Sequence, residues 1–128
     1  MGKIKSFEDL NVWQKGKRLA VEIYGLTSKF PKEEIYGMTS QIRRASVSVP
    51  ANLAEGFGRY HFMDKAKFYL NARGSLYELK SHLVIAKELA FIEDGKEDGI
   101  FHCIEDLSLG INNLINSTRR MKKAEIGR

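Results

Sequence analysis

The sequence contains few of the residues on which redox chemistry, zinc binding and secretion depend. Its 128 residues include a single cysteine, Cys103, which excludes a disulfide within one chain and a zinc site built from several cysteines. A lone cysteine also favours a reducing compartment, so the sequence predicts the cytoplasm. His61, His82 and His102 are scattered and lack the H-x-x-x-H or C-x-x-C spacing of metal ligands. We therefore expect no metal and no cofactor.

Long apolar runs are also missing. No run approaches the roughly 20 residues that span a bilayer, and the segment from Met1 to Phe7 lacks the apolar core of a signal peptide. The composition, 43% hydrophobic, is that of a globular protein rather than a disordered one. The sequence therefore predicts one domain over residues 1–128, with no membrane partner.

Proline is rare as well, since the chain has only two, and most of it is free to be helical. Apolar residues recur at helical spacing in four segments, at about 7–29, 36–57, 63–91 and 96–123. No segment alternates as a strand does. Four helices with short connections fold most simply as an antiparallel up-down-up-down four-helix bundle, and we predict an all-α fold of that kind.

Several residues predict local features of these helices. Ser6 is a candidate N-cap of the first segment, with Asp9 three residues on. Pro50 lies inside the second segment and predicts a bend just before it rather than two separate helices. The run Gly56-Phe57-Gly58 predicts the end of that segment, with glycine in a left-handed cap. Gly74, flanked by small residues, predicts the close approach of a neighbouring helix.

The second and third segments each carry a second apolar ridge besides the one that an isolated bundle needs. In the second segment the main stripe is Met38, Ile42, Ala45, Val49 and Leu53, and the other ridge is Val47, Ala51 and Ala54. In the third the additional ridge is Tyr69, Leu70, Tyr77, Val84 and Phe91. A second ridge indicates contact with another chain, and a protein-interaction scaffold is one hypothesis for the function.

Evidence for catalysis is weak. No G-x-S-x-G or Walker A sequence is present. Glu55 and Glu78 are the candidates for an acid or base in the bundle interior, although such glutamates more often pair with an arginine or cap a helix. We interpret Cys103 as a small core residue and His82 and His102 as partly buried helix residues. The sequence therefore predicts a protein that is not an enzyme.

The net charge of +5 is distributed unevenly, because residues 93–111 carry −5 and residues 112–128 carry +4. A basic cluster at the end of the last segment is what a helix C-terminus favours in any case, and it is also what a phosphate backbone attracts. The candidate nucleic-acid contacts along the chain are Arg43, Arg44, Arg59, Lys65, Lys67, Arg73, Arg119, Arg120, Lys122 and Lys123. Contacts of this kind would be made mainly to phosphate.

The run YGMTSQIRRASVSVPANLAEGFGR at 36–59 closely resembles the hallmark of a four-helix bundle family, the 23S rRNA-intervening sequence proteins. The segment DLNVWQK at 9–15, Phe30-Pro31, and FYLNARGSLYEL at 68–79 resemble its other motifs, so the likeness covers about residues 7–120. The residues that carry the motif in this sequence are Trp13, Gln41, Arg44, Ser48, Pro50, Asn52, Glu55, Gly56, Gly74, Ser75 and Glu78.

The resemblance implies a homopentamer around a central channel, with no established enzymatic activity. The chain is also similar to the accessory variability determinant of diversity-generating retroelements, a basic bundle that binds nucleic acid and a reverse transcriptase. The leading hypothesis is therefore a non-enzymatic oligomer that binds RNA or DNA through basic surface. The alternative is a protein-interaction scaffold, or an accessory subunit for another protein such as a reverse transcriptase.

Overall fold

The computed structural model describes residues 3–126, which form four α-helices and two short 3-10 turns, with no β-strand among them. The helices are α1 (Asn11–Thr27), α2 (Met38–Phe57), α3 (Phe62–Glu88) and α4 (Asp98–Ile126). This confirms the all-α prediction. Within the same residues, no helix combines the length and the apolar character that crossing a membrane requires.

The first helix begins at Asn11 rather than at the predicted residue 7. Ser6 and Asp9 do form a capping box, but it closes the separate 3-10 turn Phe7–Asp9. The Ser6 hydroxyl accepts from the amide of Glu8 at 3.2 Å, and the Asp9 carboxylate accepts from the amide of Ser6 at 3.1 Å. Leu10 then adopts an extended conformation and places its side chain in the core, which separates the turn from the helix.

The third helix ends at Glu88 rather than at the predicted residue 91, because the chain turns there in a Schellman motif. The amide of Phe91 donates to the carbonyl of Ala86, and Ala90 adopts the left-handed conformation at φ 62°. The ring of Phe91 then packs 5.6 Å from that of Phe30. The prediction of a left-handed cap at Gly58 is wrong, because its φ is −77°.

The second helix ends at Phe57 as predicted, and the first ends at Thr27 instead of residue 29; the remaining helix ends differ from the predicted ones by one to three residues. The second helix begins at residue 38 instead of 36, and the third at 62 instead of 63. The fourth spans 98–126 instead of 96–123. Such ends depend on caps and turns, which a hydrophobic period does not specify.

The helix α2 passes through Pro50 without interruption, which confirms the prediction of a single helix. Nearby, the Ser46 hydroxyl donates to the carbonyl of Arg43 at 2.8 Å. The pyrrolidine ring of Pro50 lies on α1, where a Cβ added to Gly16 would be 3.5 Å from it. That separation is an ordinary van der Waals contact, so α1 packs directly on the proline and an alanine at residue 16 would also fit.

The core lies where the four helices meet. In the described residues α1 contacts α2 and α4, and α3 contacts the same two helices. Leucine and isoleucine dominate the fully buried side chains, which include Ile23, Ile42, Leu53, Leu76, Leu79, Leu83, Ile104, Leu107, Ile111 and Ile115. Burial of each of these contributes about 1.5–3 kcal/mol relative to exposure.

Two buried-residue predictions on α4 are wrong. Cys103 and His102 are both exposed, because the helix turns Ile104 and Ile100 toward the core and those two residues outward. His82 on α3 is partly buried, as predicted. Partial burial, together with the nearby carboxylates of Glu22 and Asp106, raises the pKa of the Cys103 thiol.

The helices approach most closely at glycines other than Gly74. A Cβ at Gly56 would lie 2.7 Å from the ring of Tyr69, and one at Gly110 would lie 2.8 Å from Val12. Nothing lies within 4 Å of a Cβ at Gly74, so the predicted close approach at that residue is wrong within one chain. Gly56 instead sets the distance between α2 and α3.

We predict that Gly56→Ala destabilises the protein, since the new methyl group would overlap the buried Tyr69 ring and force α2 and α3 apart. The expected loss is about 1–3 kcal/mol in the free energy of unfolding, measured by urea denaturation. The matched control is Gly74→Ala, which adds the same methyl group in open space and is expected to stabilise α3 by up to about 1 kcal/mol. Equal effects of the two substitutions would contradict this account of Gly56.

Candidate nucleic-acid interface

The connection between α2 and α3 meets the end of α4 at one end of the molecule. The Lys65 ammonium, in the first turn of α3, donates to the carbonyl of Phe57 at the end of α2, at 2.7 Å. Lys67 lies across one groove from Arg119 and Lys122 of α4. We call this region the basic end, and its cations are Arg59, Lys65, Lys67, Arg119, Arg120, Lys122 and Lys123.

The opposite end is acidic. The connection from α3 to α4 and the first residues of α4 carry Glu93, Asp94, Glu97 and Asp98. Glu97 is 3% exposed and forms an ion pair with Lys87, which holds the pKa of its carboxyl below the usual range. Backbone amides at Glu97 and Gly95 add to this effect. The chain therefore separates charge along the bundle, with negative charge at one end and positive charge at the other.

Not every cation of the basic end is available to a ligand. Arg59 pairs with Glu55 at 2.7 Å and lies over the ring of Phe68. Lys65 is held by Phe57, and burial lowers its pKa. Lys67 is exposed, and so are three cations of α4, Arg119, Arg120 and Lys123. Lys122 is partly exposed. Among the described side chains, these five make no ion pair.

Three of the predicted nucleic-acid contacts lie away from the basic end and bond to neighbouring helices. Arg43 donates to the Thr27 hydroxyl at 2.9 Å, with its guanidinium over the ring of Tyr24. It therefore faces α1. Arg73 donates to the Asn112 amide oxygen of α4 at 2.9 Å.

The third of these residues, Arg44, belongs to a row of polar side chains along the α2–α3 contact. It pairs with Glu78 and also donates to the Gln41 side chain at 3.1 Å. His82, one turn further along α3, lies 3.1 Å from the same Glu78 carboxylate. His82 was not predicted as a partner of Glu78, although its i,i+4 spacing from that residue indicates the contact.

The row continues toward Pro50 through hydroxyl and amide groups. The hydroxyls of Ser48 and Ser75 lie 3.0 Å apart across the two helices. Asn52 donates to the carbonyl of Ser48 at 2.8 Å and to its hydroxyl at 3.1 Å. Ser48 and Ser75 thus join α2 to α3, whereas Asn52 bonds within α2. We call the row from Gln41 to Asn52, with Ser75, Glu78 and His82, the α2–α3 ladder.

The two candidate catalytic carboxylates both have cationic partners. Glu55 pairs with Arg59 on the surface, and Glu78 lies between Arg44 and His82. Burial opposes ionisation of Glu78, but its hydrogen bonds with those two side chains outweigh it and hold the pKa of the carboxyl below its usual value. Among the described residues, no group of three His, Cys, Asp or Glu side chains is placed to hold a metal ion.

The α1–α2 contact leaves an apolar surface instead of a polar one. A groove of about 310 Å³ is lined by apolar residues and by one cation, Lys17, whose ammonium lies 5.6 Å from the centre of the Trp13 ring; the apolar residues are Trp13, Ala20, Val21, Tyr24, Val47 and Pro50. The Trp13 ring packs edge-on against Phe7 at 5.0 Å, and Val21 is 69% exposed. We call this surface the α1–α2 groove. It contains Val47 of the second apolar ridge of α2, and Tyr77 and Val84 of the ridge on α3 are likewise about half exposed.

We predict that Glu78→Gln lowers the free energy of unfolding at neutral pH, because it removes the charge that Arg44 and His82 bind. The pKa of Glu78 is lower in the folded protein than in the unfolded chain. The ionised carboxylate therefore stabilises the fold above the ordinary pKa of glutamate, and this stabilisation is lost as the pH falls through the folded-state pKa. The loss at pH 7 should be below about 1 kcal/mol, given that the pair is partly exposed.

Urea denaturation at several pH values measures this effect. The difference between wild type and Glu78→Gln should narrow as the pH falls below about 4. The matched control is Glu55→Gln, whose partner lies one turn away on the surface, and it should change stability by at most about 0.5 kcal/mol. A loss for Glu78→Gln that is independent of pH would contradict the role of the charge.

Comparison with known proteins identifies one family. The sequence profile of the 23S rRNA-intervening sequence proteins matches residues 8–113, which include α1, α2, α3 and the first half of α4. The match contains the whole α2–α3 ladder and ends before the cluster Arg119–Lys123. A search of curated proteins finds no match to the chain. Since the profile spans most of the sequence, the chain belongs to the family of 23S rRNA-intervening sequence proteins.

Proposed function

We propose that this protein is a non-enzymatic, homo-oligomeric four-helix bundle that binds RNA or DNA through its basic end. The observation that carries the proposal is the meeting of Lys67 with the cations of α4 on one end of the molecule, while the acidic residues 93–98 lie at the other. Phosphate backbones bind clusters of exposed Lys and Arg with little regard to sequence.

An antiparallel up-down-up-down arrangement is part of the proposal. It is supported by the order of the contacts between α2 and α3, which runs forward along one helix and backward along the other. The pairs are Arg44 with Glu78, Ser48 with Ser75, and Phe57 with Lys65. The same reversal relates α3 to α4, through Arg73 with Asn112 and Lys87 with Glu97. This arrangement places the start of α3 beside the ends of α2 and α4.

The proposed oligomer is the homopentamer that the family resemblance implies. A ring with an odd number of subunits needs two different surfaces on each chain, because its interfaces are head-to-tail. The α1–α2 groove is one candidate surface, and exposed apolar residues of α3 and α4, such as Tyr77, Val84 and Leu109, are the other. Assembly would bring several basic ends together and strengthen phosphate binding through multivalency.

The absence of catalysis is proposed from the state of the two candidate carboxylates. A general acid or base needs a carboxyl group that can exchange its proton near neutral pH. Glu78 is held ionised by Arg44 and His82, and Glu55 lies in an exposed ion pair. Both arrangements support a structural role. A single, exposed Cys103 supports a reducing compartment such as the cytoplasm.

Filter binding with RNA and with duplex DNA at several salt concentrations tests phosphate binding. We predict that affinity falls as salt rises. The double variant Arg119→Ala/Arg120→Ala should weaken binding and make the negative slope of log K against log[salt] shallower by about 2. The control is Lys29→Ala/Lys32→Ala, which removes the same charge at the acidic end and should have a much smaller effect. Binding that is absent at low salt, or equally weakened by both double variants, would contradict the proposal.

The alternative function, a protein-interaction scaffold or an accessory subunit, is favoured by the apolar α1–α2 groove. Both the oligomer and the scaffold would cover this groove, but with different partners. A second copy of the chain changes the mass of the purified protein, whereas a different protein does not.

We predict that Val21→Glu reduces the assembly to a smaller oligomer or a monomer, because assembly would remove a carboxylate from water at an apolar contact, a cost that pairing with Lys17 would offset only in part. Val21 is 69% exposed in one chain, so the fold should be unaffected. Light scattering after nuclease treatment measures the mass, and Tyr36→Glu, at an exposed residue outside the groove, is the control. A monomeric wild type would contradict the oligomer and leave a different protein as the occupant of the groove.

A further inference from the structure

The basic end contains a groove with two kinds of surface. Its floor includes Phe62, Met63 and Leu70 of α3, and its volume is about 340 Å³. The cations on its rim are Lys67, Arg119 and Lys122. We call it the α3–α4 groove. A surface that bound only phosphate would have no use for an apolar floor, and Met63 is 64% exposed there.

The combination of floor and rim matches one form of nucleic acid better than the other. In a duplex the flat faces of the bases are stacked on one another, and mainly phosphates and base edges face outward. In a single strand the base faces are free to pack on apolar side chains while the phosphates reach nearby cations. The groove presents both partners side by side.

An exposed aromatic residue lies close to the groove in the chain. Tyr60 is 89% exposed, two residues before Phe62, in the connection between α2 and α3. Its ring packs edge-on against that of His61, with centroids 5.0 Å apart, and leaves most of its surface to solvent. Tyrosine rings are common stacking surfaces for unpaired bases. Tyr60 therefore offers a second such surface at the basic end.

We propose that the α3–α4 groove binds unpaired nucleotides, with a base on the apolar floor and the flanking phosphates at Lys67, Arg119 and Lys122. The protein then prefers single-stranded RNA or DNA to a duplex of the same sequence. This inference rests on the proposed nucleic-acid binding and adds the form of nucleic acid that is bound. The charge on the rim supplies affinity for either form, and the floor supplies the preference.

Fluorescence anisotropy with a labelled RNA of about 12 nucleotides, single-stranded or in a duplex, tests the proposal at one fixed salt concentration. The single strand should bind about tenfold more tightly. Met63→Gln, which keeps the length of the side chain and adds no charge, should weaken single-strand binding about fivefold and leave duplex binding unchanged. The matched control is Met121→Gln, at a methionine of α4 that is 56% exposed and lies outside the groove.

Thermal unfolding of both methionine variants checks that they fold. If Met63→Gln is not folded, Phe62→Leu carries the test in its place, because it removes an aromatic ring from the same groove and keeps an apolar side chain. The control is Phe101→Leu, at a partly buried phenylalanine of α4 outside the groove, and the expected result is weaker single-strand binding for Phe62→Leu alone.

The outcomes separate this inference from the function on which it rests. Equal affinity for single strand and duplex, with no effect of Met63→Gln, would overturn the inference and leave phosphate binding intact. No binding to either form at low salt would overturn both. A change in the mass of the assembly caused by Met63→Gln, measured by light scattering, would assign the groove to a second copy of the chain and overturn the inference.

Discussion

The close contact between α2 and α3 is the constraint on which the other features depend. Gly56 lets the ring of Tyr69 lie against the backbone of α2, at a distance that no side chain at residue 56 would allow. At that distance the hydroxyls of Ser48 and Ser75 meet directly, and Arg44 reaches Glu78. The contact therefore sets both the spacing and the register of the two helices. With the register set, the first turn of α3 lies beside the end of α2, where the basic end begins.

The charged residues of α4 stabilise the helix and also create the acidic and basic ends of the molecule. Acidic residues at its start and basic residues near its end both match the helix dipole, so each cluster stabilises the helix that carries it. The same arrangement separates charge along the molecule. At the start of α4 Lys87 of α3 pairs with only one carboxylate of the acidic cluster, whereas at its end Lys67 adds to the positive charge. A net charge of +5 thus understates the positive potential at the basic end.

The remaining exposed surface divides into apolar and polar parts with different consequences. The α1–α2 groove is almost wholly apolar and favours a protein partner, including a second copy. The α2–α3 ladder satisfies its polar groups within the chain and so has a structural role, although its residues form the most specific part of the family motif. The α3–α4 groove has apolar and cationic groups together, and for this reason it is the surface that we propose for nucleic acid.

Much of the fold and of the candidate site was predictable from the order of the amino acids, because helical periodicity assigns each side chain an angle around the axis of its helix. The four helices, the buried stripe of α2, the separation of Arg43 from Arg44 and the pairing of Glu78 follow from that angle and from the family motif. Periodicity does not say which neighbouring helix a side chain meets, or at what distance. Only the tertiary structure therefore placed Arg43 on Tyr24, Cys103 at the surface, the close approach at Gly56 rather than Gly74, and Met63 in a groove with the cations of α4.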